Sequence, residues 1–247
     1  MIIVYAGTRN LYRKMLPAMR SLLAHNDVKK IYLFIEDDVF PYPLPECARP
    51  INVAPLKDKY FRPDGPNMRT QFTYMAMMRA ATPEIIADED RVIQLDVDTI
   101  VCDDLTPIWN VDLTGKWFAG VRESKVPVPW EGHHPQWPVY YNAGVLVYNL
   151  DQMRRDGATA RMVRLLNYTR VCWVEQDALN HYGIGLGKDV PLPVRYNESM
   201  CCGTTDHPAI VHYAGYADWW CNEKMPRYEY QLPWQRPEDY GPEFTEV

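Results

Sequence analysis

Two periods of apolar and polar positions alternate along the first hundred residues. Ile2–Ala6 is a continuous apolar run of strand length, the pattern of a strand buried on both faces. Residues 11–25 then carry Leu16, Met19, Leu22 and Leu23 at helical spacing. A second apolar run, 31–35, predicts a strand ending in Glu36-Asp37-Asp38, and after a Pro-rich loop a short strand is expected at 51–53. Residues 68–81 read as a helix stopped by Thr82-Pro83, and 92–95 as the next strand.

The second half is less regular. Strands are expected at 117–121, 144–148 and 209–212, and helices at 151–166 and 175–182; residues 126–138 form a loop rich in Pro, Trp and His. The β-α-β-β-α-β order of the first part implies an α/β domain: a central, mostly parallel sheet flanked by helices, with ligands beyond the carboxyl ends of its strands. No linker or internal repeat divides the chain, so its 247 residues are expected to form a single domain.

That topology gives meaning to one acidic pair. Asp96-Val97-Asp98 leaves the apolar run 92–95, where two carboxylates one residue apart can share a hard divalent cation, which in turn can hold a diphosphate. Asp88-Glu89-Asp90 has the same spacing but lies in a polar stretch, as a solvated turn does. Glu36-Asp37-Asp38 is read as a solvated loop cap. A net charge of −6 without any basic block argues against a nucleic-acid partner or an anionic membrane surface. The 8 Trp and 17 Tyr suit stacking on sugar rings as well as filling a core. Six cysteines show neither C-x-x-C nor zinc spacing, and no stretch approaches the roughly 20 apolar residues of a membrane span. With no leader-like segment at the start, a cytoplasmic protein without an integral membrane segment is expected.

Four segments in order then suggest a family: Asp96-Val97-Asp98; residues 141–149, Tyr-Asn-Ala-Gly-Val-Leu-Val-Tyr-Asn; residues 175–180, Glu-Gln-Asp-Ala-Leu-Asn; and His212-Tyr213-Ala214-Gly215. Together they resemble glycosyltransferase family 8, a group of retaining transferases that includes glycogenin-like and bacterial lipooligosaccharide galactosyltransferases. The resemblance runs from residue 2 to about 220. It implies the Rossmann-like GT-A fold, a UDP-sugar donor (UDP-galactose or UDP-glucose), a carbohydrate or glycoconjugate acceptor, and Mn²⁺ as cofactor, with Mg²⁺ as the alternative ion. The nucleotide-binding half would occupy about 1–100, the sugar and acceptor half 101–220, and a Pro- and aromatic-rich tail 221–247.

Residue by residue, the resemblance assigns the metal to Asp96, Asp98 and His212. Two carboxylates and an imidazole leave three octahedral positions for diphosphate oxygens and water, a mixed O/N set that Mn²⁺ accepts. It makes Ala6, Gly7, Thr8 and Asn10 the uridine loop, and has Arg79 brace the donor and the first Asp, beside Val97. Asn142, Ala143 and Gly144 are expected against the donor sugar, Gly144 permitting close backbone approach, and Gly215 closes the donor site. Gln176 would lie below the anomeric carbon, flanked by Glu175, with Asp177 on the sugar hydroxyls. Double displacement needs a carboxylate beneath that carbon; Gln176 is an amide, which favours front-side attack.

Four departures accompany the match. Thr8 and Glu175 stand where Asp is common, and Asp218 where many members carry a Lys on the diphosphate. Arg122, Lys125 or Lys224 is the expected compensating cation. The end of the chain, 237–247, is acidic, unlike basic membrane-associating tails. Trp130, His133, His134 and Trp137 are candidates for the acceptor wall. Other readings are a catalytically silent sugar- or nucleotide-binding protein and a nucleotidyltransferase, though the latter calls for a Gly-rich basic loop after the first strand.

Overall fold

The computed structural model describes residues 1–70, 72–124, 139–216 and 218–236. Its central sheet is built from β1 (Ile2–Ala6), β2 (Lys30–Ile35), β3 (Ala48–Asn52), β4 (Arg91–Leu95), β6 (Phe118–Arg122), β7 (Tyr141–Asn149) and β8 (Asp189–Leu192), in the order β3-β2-β1-β4-β7-β6-β8. A separate two-stranded ribbon pairs β5 (Thr99–Val101) with β9 (Ile210–His212). Side chains alternate across the central strands as a period of two requires. Ile3, Tyr5, Ile93, Val145 and Val147 enter the core on one face. Val4, Val92, Leu146 and Tyr148 enter the core on the other. Both faces are covered, which is why these strands are mostly apolar, with Gln94 a buried polar exception in β4.

The helices are α1 (Tyr12–His25), α2 (Lys57–Tyr60), α3 (Tyr74–Met78), α4 (Thr82–Ile85), α5 (Thr106–Trp109), α6 (Leu150–Arg155), α7 (Ala158–Tyr168) and α8 (Glu175–Gly185). α1 fulfils the expectation for 11–25. The helix expected over 68–81 is shorter and then restarts. The Thr70 hydroxyl bonds to the backbone of Phe72, a local contact that competes with helix. Pro83 falls in the first turn of α4, where its missing N–H costs nothing, so it opens a turn rather than closing one. The helix expected over 151–166 breaks in two at Gly157, whose φ of 63° is a left-handed conformation that glycine adopts at little cost. Asn149 caps the first piece by accepting a hydrogen bond from Gln152 N at 3.0 Å. Neither β5 nor β8 was expected; both are short, and Pro191 confines β8 to a sheet edge.

Strand directions place the site. β1 pairs in parallel with β2 and β4, β2 with β3, and β6 with β8. β7 is antiparallel to both β4 and β6. All the other strands of the sheet therefore end at one edge, and β7 begins there. The residues just after β1, β4 and β6 and the first residues of β7 are thereby gathered together. Asp88-Glu89-Asp90 precedes β4 and so lies at the opposite edge, where Glu89 takes hydrogen bonds from Lys30 and Tyr32 at 2.6 and 2.9 Å. Among the described residues no helix is long and apolar enough to cross a membrane.

Candidate active site

Asp96 and Asp98 leave β4 together, and the β5–β9 ladder brings His212 to them. Thr99 pairs with His212 across that ribbon, and Tyr213 N donates to Asp98 O at 2.9 Å. His212 Nε2 lies 3.3 Å from Asp98 Oδ1 and 3.6 Å from Asp96 Oδ2. One ligand atom from each of the three residues falls within 4.8 Å of the others. The donor set fits a divalent cation: two carboxylates and one imidazole whose other nitrogen, Nδ1, is held by Asn197 Oδ1 at 2.7 Å. Gly144 makes room for the imidazole, because a Cβ there would overlap the His212 ring. The close approach expected at Gly144 is thus made by His212.

Arg79 is buried beneath the acidic pair. Its Nη1 lies 2.5 Å from Asp96 Oδ1 and 3.2 Å from Glu175 Oε1, and Nη2 donates to the Ala143 carbonyl. The Gln94 amide, oriented by its network, accepts from Nε and Nη2 at 2.9 Å. Glu175 is 4% exposed. Burial pushes its carboxyl up to about 7, with Arg79 opposing the rise and the charge on Asp96 adding to it.

A folded-state pKa above the unfolded value means that the native state binds the proton more tightly. This contribution to stability is full below pH 4.5 and lost as pH rises through 7. Glu175→Gln removes the dependence. In urea unfolding of the metal-free protein, the stability difference should shift toward the variant by about 3 kcal/mol between pH 4 and pH 8. A difference constant with pH would contradict the assignment.

The start of β7 and the first turn of α8 meet opposite. Gln176 Oε1 accepts from Ala143 N at 2.7 Å, while its Nε2 donates to Glu123 Oε1 and Tyr140 OH at 3.2 Å each. Asn142 Nδ2 donates to the same Glu123 oxygen at 3.0 Å. Burial raises the Glu123 carboxyl, opposed by the hydrogen bonds from Asn142 and Gln176. Asp177 stands apart from the position expected for it. Its Oδ1 accepts from Tyr140 OH, its Oδ2 accepts from Cys172 N and Trp173 N at 2.8 and 2.9 Å, and it lines neither chamber described below. Its evident work is to hold the turn entering α8, where Val174 has a φ of 39°, a strained value for a β-branched residue.

Two chambers meet at Asp96 and Asp98. The smaller, about 270 Å³, is lined by Arg79, Glu123, Asn142, Ala143, Glu175, Gln176 and His212. The larger, about 730 Å³, is lined by Ala6, Gly7, Thr8, Asn10, Lys14, Val97 and Trp219. Gly215, at a φ of 82°, borders both, as do Phe72 and Trp173. At the rim, the Thr8 hydroxyl donates to Asn10 Oδ1 at 2.5 Å. Gly7 also answers to packing, since a Cβ there would stand 2.6 Å from Met15 Cε. Glu36 and Asp37 brace this loop: Glu36 accepts from Arg9 N at 3.0 Å, and Asp37 pairs with the Arg9 guanidinium at 2.6 Å.

Of the expected compensating cations, Arg122 packs on the Tyr141 ring and hydroxyl and lines neither chamber, nor does Lys224. The basic side chains that do line them among the described residues are Arg79 and Lys14. Asp218 is exposed and lines neither. Lys125, the candidate acceptor wall (Trp130, His133, His134, Trp137) and the acidic end (237–247) lie outside the described residues. Neither Glu123 nor Asn197 is among the site residues expected from the sequence. Both follow strands, β6 and β8, at the edge already argued to bind ligand, and that position was the available signal.

The model of the family described as Glycosyl transferase family 8 matches residues 2–223. Glycosyltransferase GlyB of Streptococcus pneumoniae serotype 4 is 23% identical over 244 residues, covering 88% of this chain and 57% of that protein. General stress protein A of Bacillus subtilis is 25% identical over 192 residues, covering 64% and 63%. The chain thus spans less than two thirds of the length of these curated relatives. Among solved structures, the galactosyltransferase LgtC in complex with donor and acceptor sugar analogs superposes with a TM-score of 0.77 at 22% identity, covering 95% of each chain. Glycosyltransferase GlyE of Streptococcus pneumoniae gives 0.67 at 22% identity over 94% of this chain and 60% of that one. These likenesses establish the GT-A fold. With the family model spanning nearly all of the described chain, the protein belongs to glycosyl transferase family 8.

Proposed function

We propose that the protein transfers a hexose, galactose or glucose, from UDP to a hydroxyl of a carbohydrate or glycoconjugate acceptor. In this reading the anomeric configuration is retained and Mn²⁺ is the resident ion. The observation that carries the reading is the junction of two unequal chambers at an acidic pair and a histidine. The larger suits a nucleoside against the loop 6–10, the smaller suits one sugar ring, and the diphosphate would cross between them. Asp96, Asp98 and His212 would hold the cation; when bound, it supplies Lewis acidity that offsets charge on the departing UDP.

Asn142 and Gln176 present amides to the smaller chamber and are suited to fixing the sugar's orientation. Arg79 opposes the rise that burial imposes on the Asp96 carboxyl and holds it in place. Asp177 is spent on the protein's own backbone and Tyr140, and Glu175 is paired to Arg79. This supports front-side attack, with the acceptor hydroxyl entering beside the leaving group and Gln176 stabilising the oxocarbenium-like centre. Asp218 lies outside both chambers, so its carboxylate does not oppose a diphosphate within them. We place the protein in a reducing, cytoplasmic setting, as its cysteine spacing suggests.

The test is release of UDP from UDP-galactose and UDP-glucose with Mn²⁺, with and without saccharide acceptors. Turnover of at least one donor is expected, and chelation should stop it. Asp98→Ala should lower metal-dependent UDP binding about a hundredfold or more, read by calorimetry. Binding without any turnover would instead support a silent binder, and undiminished UDP binding by the variant would place the ion elsewhere.

A further inference from the structure

Asn197 follows the 3-10 turn Val194–Tyr196 beyond β8 and is fully buried. Its side chain stands between the His212 imidazole and the Asn142 amide. Oδ1 lies 2.7 Å from His212 Nδ1, and Nδ2 donates to Asn142 Oδ1 at 2.9 Å. Amides can be turned end for end and an imidazole can carry its hydrogen on either nitrogen, so the polarity of such a chain must come from a group that cannot change.

That group is the backbone N–H of Gly144, which donates to Asn142 Oδ1 at 2.9 Å. It obliges Asn142 to present oxygen on that side, which turns Asn142 Nδ2 toward the Glu123 carboxylate and the smaller chamber. The Asn142 oxygen obliges Asn197 to present its NH₂ in turn. Asn197 Oδ1 is left facing His212 Nδ1, and an amide oxygen only accepts. Nδ1 therefore carries hydrogen: its 2.7 Å contact to an oxygen is shorter than the 3.3 Å from Nε2 to the competing Asp98 carboxylate, so in the neutral ring the lone pair falls on Nε2, the nitrogen facing Asp96 and Asp98. Exposures of 0% for Asn197, 4% for His212 and 6% for Asn142 leave little access for water to take over these bonds.

We propose that Asn197 is a positioning residue with two linked effects: it sets the His212 tautomer for metal ligation, and through the same amide it holds Asn142 in its sugar-facing orientation. The metal and sugar effects rest on the function proposed above; the tautomer does not. Asn197→Asp separates the two. A carboxylate still accepts from Nδ1–H but cannot donate to Asn142 Oδ1, whereas Asn197→Ala loses both bonds.

The first measurement is a long-range ¹H–¹⁵N correlation spectrum of the metal-free protein at alkaline pH, where the imidazole is neutral. His212 should carry its hydrogen on Nδ1 in the wild type and in Asn197→Asp, and should shift it to Nε2, toward Asp98, in Asn197→Ala. The second is calorimetry with Mn²⁺ alone. Asn197→Ala should bind about tenfold or more weakly, and Asn197→Asp within a few-fold of wild type. The third is UDP-sugar hydrolysis, in which Asn197→Asp should raise KM for the donor sugar with kcat less affected. An unchanged tautomer in a folded Asn197→Ala overturns the proposal, as does unchanged Mn²⁺ affinity. A wild type that binds no Mn²⁺ would instead defeat the functional reading, and the tautomer measurement would still decide the role of Asn197.

Discussion

Arg79→Ala is expected to destabilise the protein by about 3–5 kcal/mol at neutral pH, the loss typical of removing one partner from a buried ion-pair network. Arg79 is 8% exposed and serves Asp96, Glu175 and the Ala143 carbonyl at once. Its removal leaves one buried carboxylate and one half-buried carboxylate without their cation, and a carbonyl without its donor. Glu175, already titrating near 7 with Arg79 in place, should move higher still. Lysine should not restore stability, because a point charge cannot span these acceptors as a guanidinium fork does. The measurement is urea unfolding with and without Mn²⁺. The ion should recover part of the loss by neutralising Asp96. A loss below about 1 kcal/mol would mean that solvent screens these groups far more than their burial implies.

Gly144→Ala is expected to lower Mn²⁺ affinity about tenfold to a hundredfold while leaving the sheet intact. The added methyl would collide with the His212 ring. That ring is held by Asn197 on one side and faces the two carboxylates on the other. It cannot yield without giving up the position of Nε2. Overpacking of this kind costs about 1–3 kcal/mol. A double-mutant cycle identifies the cause: in a His212→Ala background the methyl has space, and its cost should fall close to zero. Equal cost in both backgrounds would show that the glycine is needed for some other reason.

Much of the candidate site was legible because strand ends are legible. The apolar run 92–95 located Asp96 and Asp98, and the same context dismissed Asp88-Glu89-Asp90, which the structure puts at the far edge of the sheet. The turn after β1 was found in the same way. Asn197 obeys this rule too but follows β8, four residues with a proline inside it and no period of its own; Glu123 follows the expected strand β6, where a lone carboxylate carries no spacing to mark it. The roles expected of Asp177 and Gly144 shifted for a different reason. A carboxylate near a helix start is equally suited to substrate or to its own backbone, and a glycine to a sugar or to an imidazole. Only the neighbours decide.

Sequence alone determined the apolar runs that must be buried on both faces, the layered α/β class they dictate, and the acidic pair at the exit of one run. Burial and periodicity are local properties, written in consecutive residues. Tertiary structure decided that β7 runs against its neighbours, that the β5–β9 ladder carries His212 to Asp98, and that one backbone N–H at Gly144 meets the amides of Asn142 and Asn197 beside His212. These depend on which distant segments pair and on which donor cannot turn, and no local pattern contains that information.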